Sequence, residues 1–171
     1  MSKRDLKKFV SELTKTQLEE QVIELYEKFK DVKVYYDFVF NPKENDLVKE
    51  AKLKISNEYF PVRGKKPKMR RSVAQKFIKH YISLGVDAFI IADIMLYNIE
   101  IAQTLSAEKQ INQEAFYKSM FNSFEQVIAF VFEKGIFYEF KSRVVAIHDE
   151  ALHQKWMNSY QFIDKIERLN L

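Results

Sequence analysis

The sequence contains no cysteine, and only three glycines and three prolines occur in 171 residues. The first absence excludes disulfides, thiolate metal centres and cysteine nucleophiles, and it suits a reducing compartment, so a cytoplasmic location is the expectation. Glycine and proline fall far below their ordinary usage of about 7% and 5%. An all-β fold needs many tight turns and the residues that make them, so their scarcity predicts long helices with short connections. Long apolar runs are missing too. The most apolar stretch, residues 88–102, is broken by Asp93, Asn98 and Glu100, whereas a spanning helix needs about 20 largely apolar residues. No stretch of signal-peptide character follows the charged N-terminal segment, so neither secretion nor a membrane partner is expected. A last absence is local: between Glu58 and Asp87 there is no acidic residue.

That acid-free window holds Arg63, Lys65, Lys66, Lys68, Arg70, Arg71, Lys76 and Lys79, a local charge of +8. The chain has 28 basic and 24 acidic residues, so outside the window 20 basic residues face 24 acidic ones, a net charge of −4. Overall basicity is therefore the property of one segment. Clustered cations beside Tyr59, Phe60 and Tyr81 suit a phosphate backbone, because neutralised phosphates release counterions and exposed rings stack on unpaired bases. The expected partner is a polyanion, RNA before DNA. The competing reading is internal neutralisation. In an antiparallel hairpin pivoting at Gly85, Arg70 and Arg71 come level with Glu100 and Gln103, and Lys79 and His80 come near Asp93. On that reading Arg63, Lys65, Lys66 and Lys68 are the cations least used internally.

Apolar spacing predicts helices along almost the whole chain. Ser2 caps a helix to about Leu13, and Thr14 with Gln17, or Thr16 with Glu19, opens a second, the two forming a hairpin. Residues 32–40 are β-branched and aromatic, yet Val32, Tyr35, Tyr36, Val39 and Phe40 keep helical spacing. Asn41 and Pro42 start a surface helix to about Glu58. A loop over 59–67 precedes a helix from Lys68 to Leu84, which Gly85 ends in left-handed conformation. Asp87 then caps the helix 88–105, apolar around most of its girth and the expected centre of the fold. The longest helix is expected over 111–134, followed by one to about Trp156 and a last one capped by Ser159. The whole reads as one all-α domain, 1–171. It has eight or nine helices, mostly antiparallel hairpins, as a compact bundle or a short α-solenoid-like stack around helix 88–105.

The phrases YYDFVFNPKE at 35–44, ISNEYFPV at 55–62, KPKMRRSVAQKFIKH at 66–80, LGVDAFIIADIMLYNIEIAQT at 84–104 and EAFYKSM at 114–120 carry a resemblance. Together they resemble a family of small bacterial proteins known as a domain of unknown function, over most of the chain. The resemblance implies a free-standing cytoplasmic bacterial protein. It implies no activity and no catalytic residue.

Other motifs are weighed against plain structure. Asp93 and Glu100 share a helix face two turns apart, and with His80 they offer an acid-base pair or part of a metal site. Charges beside a core must be paired, so structural ion pairing is the expectation. Asn98 lies on the apolar side, where a buried amide needs partners and fixes packing. His148, Asp149, Glu150 and His153 imitate a metalloprotease sequence, but histidines five apart diverge on a helix, and Asp149 with His153 reads as a surface pair. The hairpin at Gly85 is rejected as a helix-turn-helix because its second helix is too apolar to read base edges. No cofactor, metal or nucleophile motif is present, so no catalytic residue is expected. Two alternatives to polyanion binding remain. One is an adaptor or homodimer meeting an acidic protein or its own copy, with the aromatic patch Tyr35, Tyr36 and Phe40 as a contact; the other is an enzyme working through Asp93 and Glu100.

Overall fold

A computed structural model describes residues 2–62 and 64–169. Among these the chain forms nine α-helices and no strand, as the scarcity of turn residues predicts. It divides into two compact units, Met1–Lys43 and Glu44–Leu171.

The first unit holds α1 (Lys3–Ser11), α2 (Lys15–Lys28) and α3 (Lys30–Phe40). Ser2 caps α1 in a reciprocal capping box with Asp5, and Thr14 caps α2 in the same way with Gln17, so the Thr16 alternative is not used. Each box satisfies two backbone donors that a helix end leaves orphaned. The hairpin expected between the first two helices is instead made by α2 and α3. Tyr26 explains the choice: its hydroxyl donates to Asp37 at 2.8 Å and its ring meets Tyr36, drawing α3 onto α2. The 32–40 segment is helical as its spacing required.

The second unit holds α4 (Glu44–Tyr59), α5 (Arg71–Leu84), α6 (Ala88–Glu108), α7 (Glu114–Glu133), α8 (Phe137–His153) and α9 (Ser159–Arg168). Helix α6 is its centre and packs against α4, α5, α7 and α8. It buries Ile94, Leu96, Ile99 and Ala102 completely, with a face each for several neighbours. At 21 residues, with an 18-residue stretch of mean hydropathy 1.3, it is long and apolar enough to cross a membrane by length and composition alone. Its helical neighbours and its paired carboxylates mark it as a core helix. Helix α9 closes one end by inserting Phe162 between Phe121, Phe124 and Trp156. A fully buried aromatic of this kind contributes about 1.5–3 kcal/mol relative to exposure.

Several boundaries differ from those expected. Helix α4 begins at Glu44 rather than at Asn41-Pro42, and it is less superficial than its narrow stripe suggests, burying Ala51, Ile55, Glu58 and Tyr59. Helix α5 begins at Arg71, three residues late, after Met69 in positive φ. Helix α6, not α7, is the longest. Helix α8 stops at His153 because Lys155 adopts φ 53° and the N–H groups of Lys155 and Trp156 turn back to Leu152 and Ala151. At the end of α5, Gly85 takes φ 76°, with Val86 N–H bonded to Tyr81 O, the left-handed terminus that its position predicts.

Candidate polyanion-binding surface

The basic segment is built on Glu58, the last acidic residue before it. Glu58 sits near the end of α4, 9% exposed, and its backbone carbonyl accepts the N–H groups of Lys68 and Met69 at 2.9 and 3.0 Å. Its carboxylate accepts the fork of Arg70, Nε to Oε2 at 2.8 Å and Nη2 to Oε1 at 2.7 Å, and the Arg70 backbone N–H at 3.4 Å. One residue therefore closes the base of the loop over 60–70 and supplies the negative charge that the N-terminus of α5 lacks in its own first turn. Met69 is held at φ 52°, outside the helical region, and this is why α5 cannot begin at Lys68. The hydrogen-bonded fork of Arg70 holds the Glu58 carboxyl below the usual glutamate range, against the opposing effect of burial.

The loop presents Lys65, Lys66 and Lys68, all exposed and without a carboxylate within ion-pair distance among the described residues. They line a cleft of about 230 Å³ together with Pro61 and Val62. Further along α5, Lys76 and Lys79 are exposed and likewise have no carboxylate within ion-pair distance among the described residues. Being three residues apart, they share the outer face of the helix. Arg63 lies outside the described residues.

Arg70 and Arg71 do not belong to the free set, and neither meets Glu100 or Gln103 as the hairpin geometry suggested. Arg70 is the Glu58 clamp. Arg71 turns inward to α7, where Nε donates to Ser123 Oγ at 2.8 Å and Nη2 to Gln126 Oε1 at 2.7 Å; Gln75 donates to the same oxygen at 2.8 Å. Neutral partners leave its burial uncompensated, which pulls its pKa down. Tyr59 and Tyr81, expected as stacking platforms, are each 1% exposed and cannot reach a base. Their hydroxyls are used inside: Tyr59 donates to Asn98 Oδ1 at 3.1 Å and Tyr81 to Leu47 O at 2.7 Å. Asn98 thereby has the partner that its burial requires.

The acidic strip of α6 is neutralised from other helices. Arg143 on α8 donates Nε and Nη2 to the two carboxylate oxygens of Glu100 and Nη1 to Asp93 Oδ1, each at 2.8 Å. Lys52 on α4 pairs with Asp93 Oδ2 at 2.7 Å and lies 5.0 Å from the centre of the Tyr97 ring. Tyr97 in turn bonds Ser56. The strip is thus an ion-paired junction of three helices, as the pairing expectation had it, but with partners that the α5–α6 hairpin does not supply. Lys79 and His80 stay exposed and away from Asp93.

The histidine cluster of α8 forms two adjacent pairs, His148 with Asp149 at 2.9 Å and His153 with Glu150 at 3.8 Å, instead of Asp149 with His153. No group of three His, Asp or Glu side chains converges on a metal position among the described residues. In the first unit, Phe40 is 81% exposed and stacks on Tyr36 with ring centres 6.1 Å apart.

Two residues that organise the site escaped the sequence reading. Glu58 had a visible signal, since a lone carboxylate bordering a run of cations is their nearest counter-charge. Arg143 had none, because nothing in the local spacing ties it to α6. No curated protein and no solved structure matches the chain. A family model described as a family of unknown function matches residues 1–170, and the chain belongs to that family, DUF6155.

Proposed function

We propose that the protein binds a polyanion, RNA before DNA, through the five exposed lysines of the segment 65–79. The observation that carries this reading is the sorting of the window's charges. Glu58 consumes Arg70, Ser123 and Gln126 take Arg71 inward, and Lys65, Lys66, Lys68, Lys76 and Lys79 have no carboxylate partner among the described residues. No acid lies between these lysines in the sequence, and Glu58, the carboxylate in the cleft of Lys65, Lys66 and Lys68, is forked by Arg70, so the lysines' charges add instead of cancelling. The acids of the neighbouring helix α6, Asp93 and Glu100, are engaged by Lys52 and Arg143. The clamp at Glu58 fixes the base of the loop, which lowers the ordering cost when a phosphate chain binds.

Fluorescence anisotropy with labelled single-stranded RNA tests the reading. Replacing Lys65, Lys66 and Lys68 together with Glu reverses three of the five charges and is expected to abolish measurable binding at moderate salt, with the helical circular dichroism unchanged. Unaltered affinity in that variant would refute the proposal.

A second reading has its own observation. The Tyr36–Phe40 stack and the half-exposed Tyr35 offer an aromatic contact suited to a protein partner or a second copy of the chain. A concentration-dependent change in sedimentation that Phe40→Ser removes would support it.

A further inference from the structure

The basic loop has a second flank. On the side away from the Glu58 cleft, Lys66, Pro67 and Met69 face the connection between α6 and α7 across a cleft of about 330 Å³. Leu105 and Ile111, 5% and 7% exposed, line it from the opposite side. Its rim carries Lys109, Gln110, Asn112 and Gln113, all exposed. The connection is held in place: Lys109 N–H bonds Leu105 O at 2.9 Å and the Tyr117 hydroxyl bonds Ile111 O at 2.8 Å. The three rim amides have no side-chain hydrogen-bond partner among the described residues, and Gln113, the residue before α7, does not cap it. No acidic residue lines the cleft.

Each part answers a part of one ligand. Two lysines on separate loops suit a phosphate, apolar walls suit a flat heterocycle, and three free amides offer both donors and acceptors to its edge. The volume is at the lower end of small-molecule sites, which begin at about 300 Å³. The larger cleft between α7 and α9, about 590 Å³, carries Glu114 and Glu125 and does not suit an anion. We infer that the cleft between the basic loop and the α6–α7 connection holds one unpaired nucleotide, so that the protein selects single strands over duplex. This rests on the polyanion reading of the adjoining lysines and adds the strand state to it. In a duplex every base is stacked and paired, and none can enter such a cleft without being extruded at a cost.

The test compares a labelled RNA about 12 nucleotides long, single-stranded and as a duplex, against the wild type, Lys109→Ala and Lys118→Ala. Lys118 is an exposed lysine on α7 outside this cleft. The wild type is expected to prefer the single strand by about tenfold, roughly the worth of one well-made base contact. Lys109→Ala removes most of that preference, while Lys118→Ala leaves it in place. Titration with a nucleoside monophosphate separates the sources: displacement of the strand from the wild type marks a site that accepts free nucleotide, and strand preference without displacement marks a site that needs the polymer. Equal binding of single strand and duplex, or equal effects of the two substitutions, overturns the cleft and leaves the polyanion reading standing. Binding of neither RNA overturns both.

Discussion

Arg143→Met is the substitution that most sharply tests how charge is distributed in the second unit. It removes three charge-assisted hydrogen bonds of 2.8 Å, leaves Glu100 without a cation, and leaves Asp93 with Lys52 alone. Methionine keeps much of the aliphatic packing. The side chains of Arg143, Asp93 and Glu100 are 31%, 30% and 35% exposed, so water can take over part of the lost bonding. An exposed pair is worth about 0–1 kcal/mol, and breaking a buried one costs about 3–5 kcal/mol. A junction one-third exposed with a bidentate fork falls between, at about 2–3 kcal/mol. Arg143→Lys should recover less than half, since one ammonium cannot bridge both carboxylates. Urea denaturation followed by circular dichroism reads the effect as a shifted midpoint with an unchanged slope. A loss below about 0.5 kcal/mol would show that Arg143 does not hold the junction, and would return Asp93 and Glu100 to the basic window as counter-charges.

Glu58→Gln is expected to destabilise the protein at neutral pH and to do so less as pH falls. The folded-state pKa of Glu58 is depressed, so its contribution is fully present above the unfolded value of about 4.3 and is lost as pH drops through the folded value. Denaturation midpoints of wild type and variant should therefore converge as pH falls through the depressed folded value; a gap of constant size would mean that the Arg70 clamp is not what stabilises the loop. Tyr59→Phe leaves Asn98 Oδ1, in a side chain 2% exposed, without its 3.1 Å donor, and should cost about 1–2 kcal/mol in the same assay. A neutral Tyr59→Phe would show that the bond contributes nothing net.

What the sequence made legible follows the range of each interaction. Caps and stops act over three or four residues, and Ser2, Thr14, Gly85 and Asp87 stand where their chemistry placed them. Burial of α6 was legible because apolar residues around most of the girth of a helix require neighbours on several sides. The start of α5 was not, because helical spacing continues back to Lys68 while the backbone is diverted by a carbonyl ten residues earlier in the chain. Ion-pair partners were least legible. Reasoning within the α5–α6 hairpin brought Arg70 and Arg71 level with Glu100 and Gln103, whereas Arg70 is held by Glu58, Arg71 points to α7 and Glu100 is met from α8 by Arg143. Three-body packing decided both, and no pairwise spacing contains it. The tyrosines show the same limit, since a phenol beside lysines reads equally as a stacking platform or as a core residue with one buried hydrogen bond. The five lysines of the candidate surface were legible as cations, and the position of Lys65, Lys66 and Lys68 in or beside a loop marked these three as among the least used internally; Lys79 was instead expected near Asp93, which Lys52 and Arg143 engage.

The salt dependence of RNA binding tests the central claim most directly. For single strands the logarithm of the affinity falls against the logarithm of salt with a slope of about −0.7 per neutralised phosphate, so five lysines predict about −3.5. Raising salt from about 50 to about 200 mM should therefore weaken binding by about 100-fold, and the Lys65, Lys66 and Lys68 charge reversal should remove binding at the lower concentration. Binding with a flat salt response, or none at about 50 mM salt, would contradict the assignment of this segment as a polyanion surface.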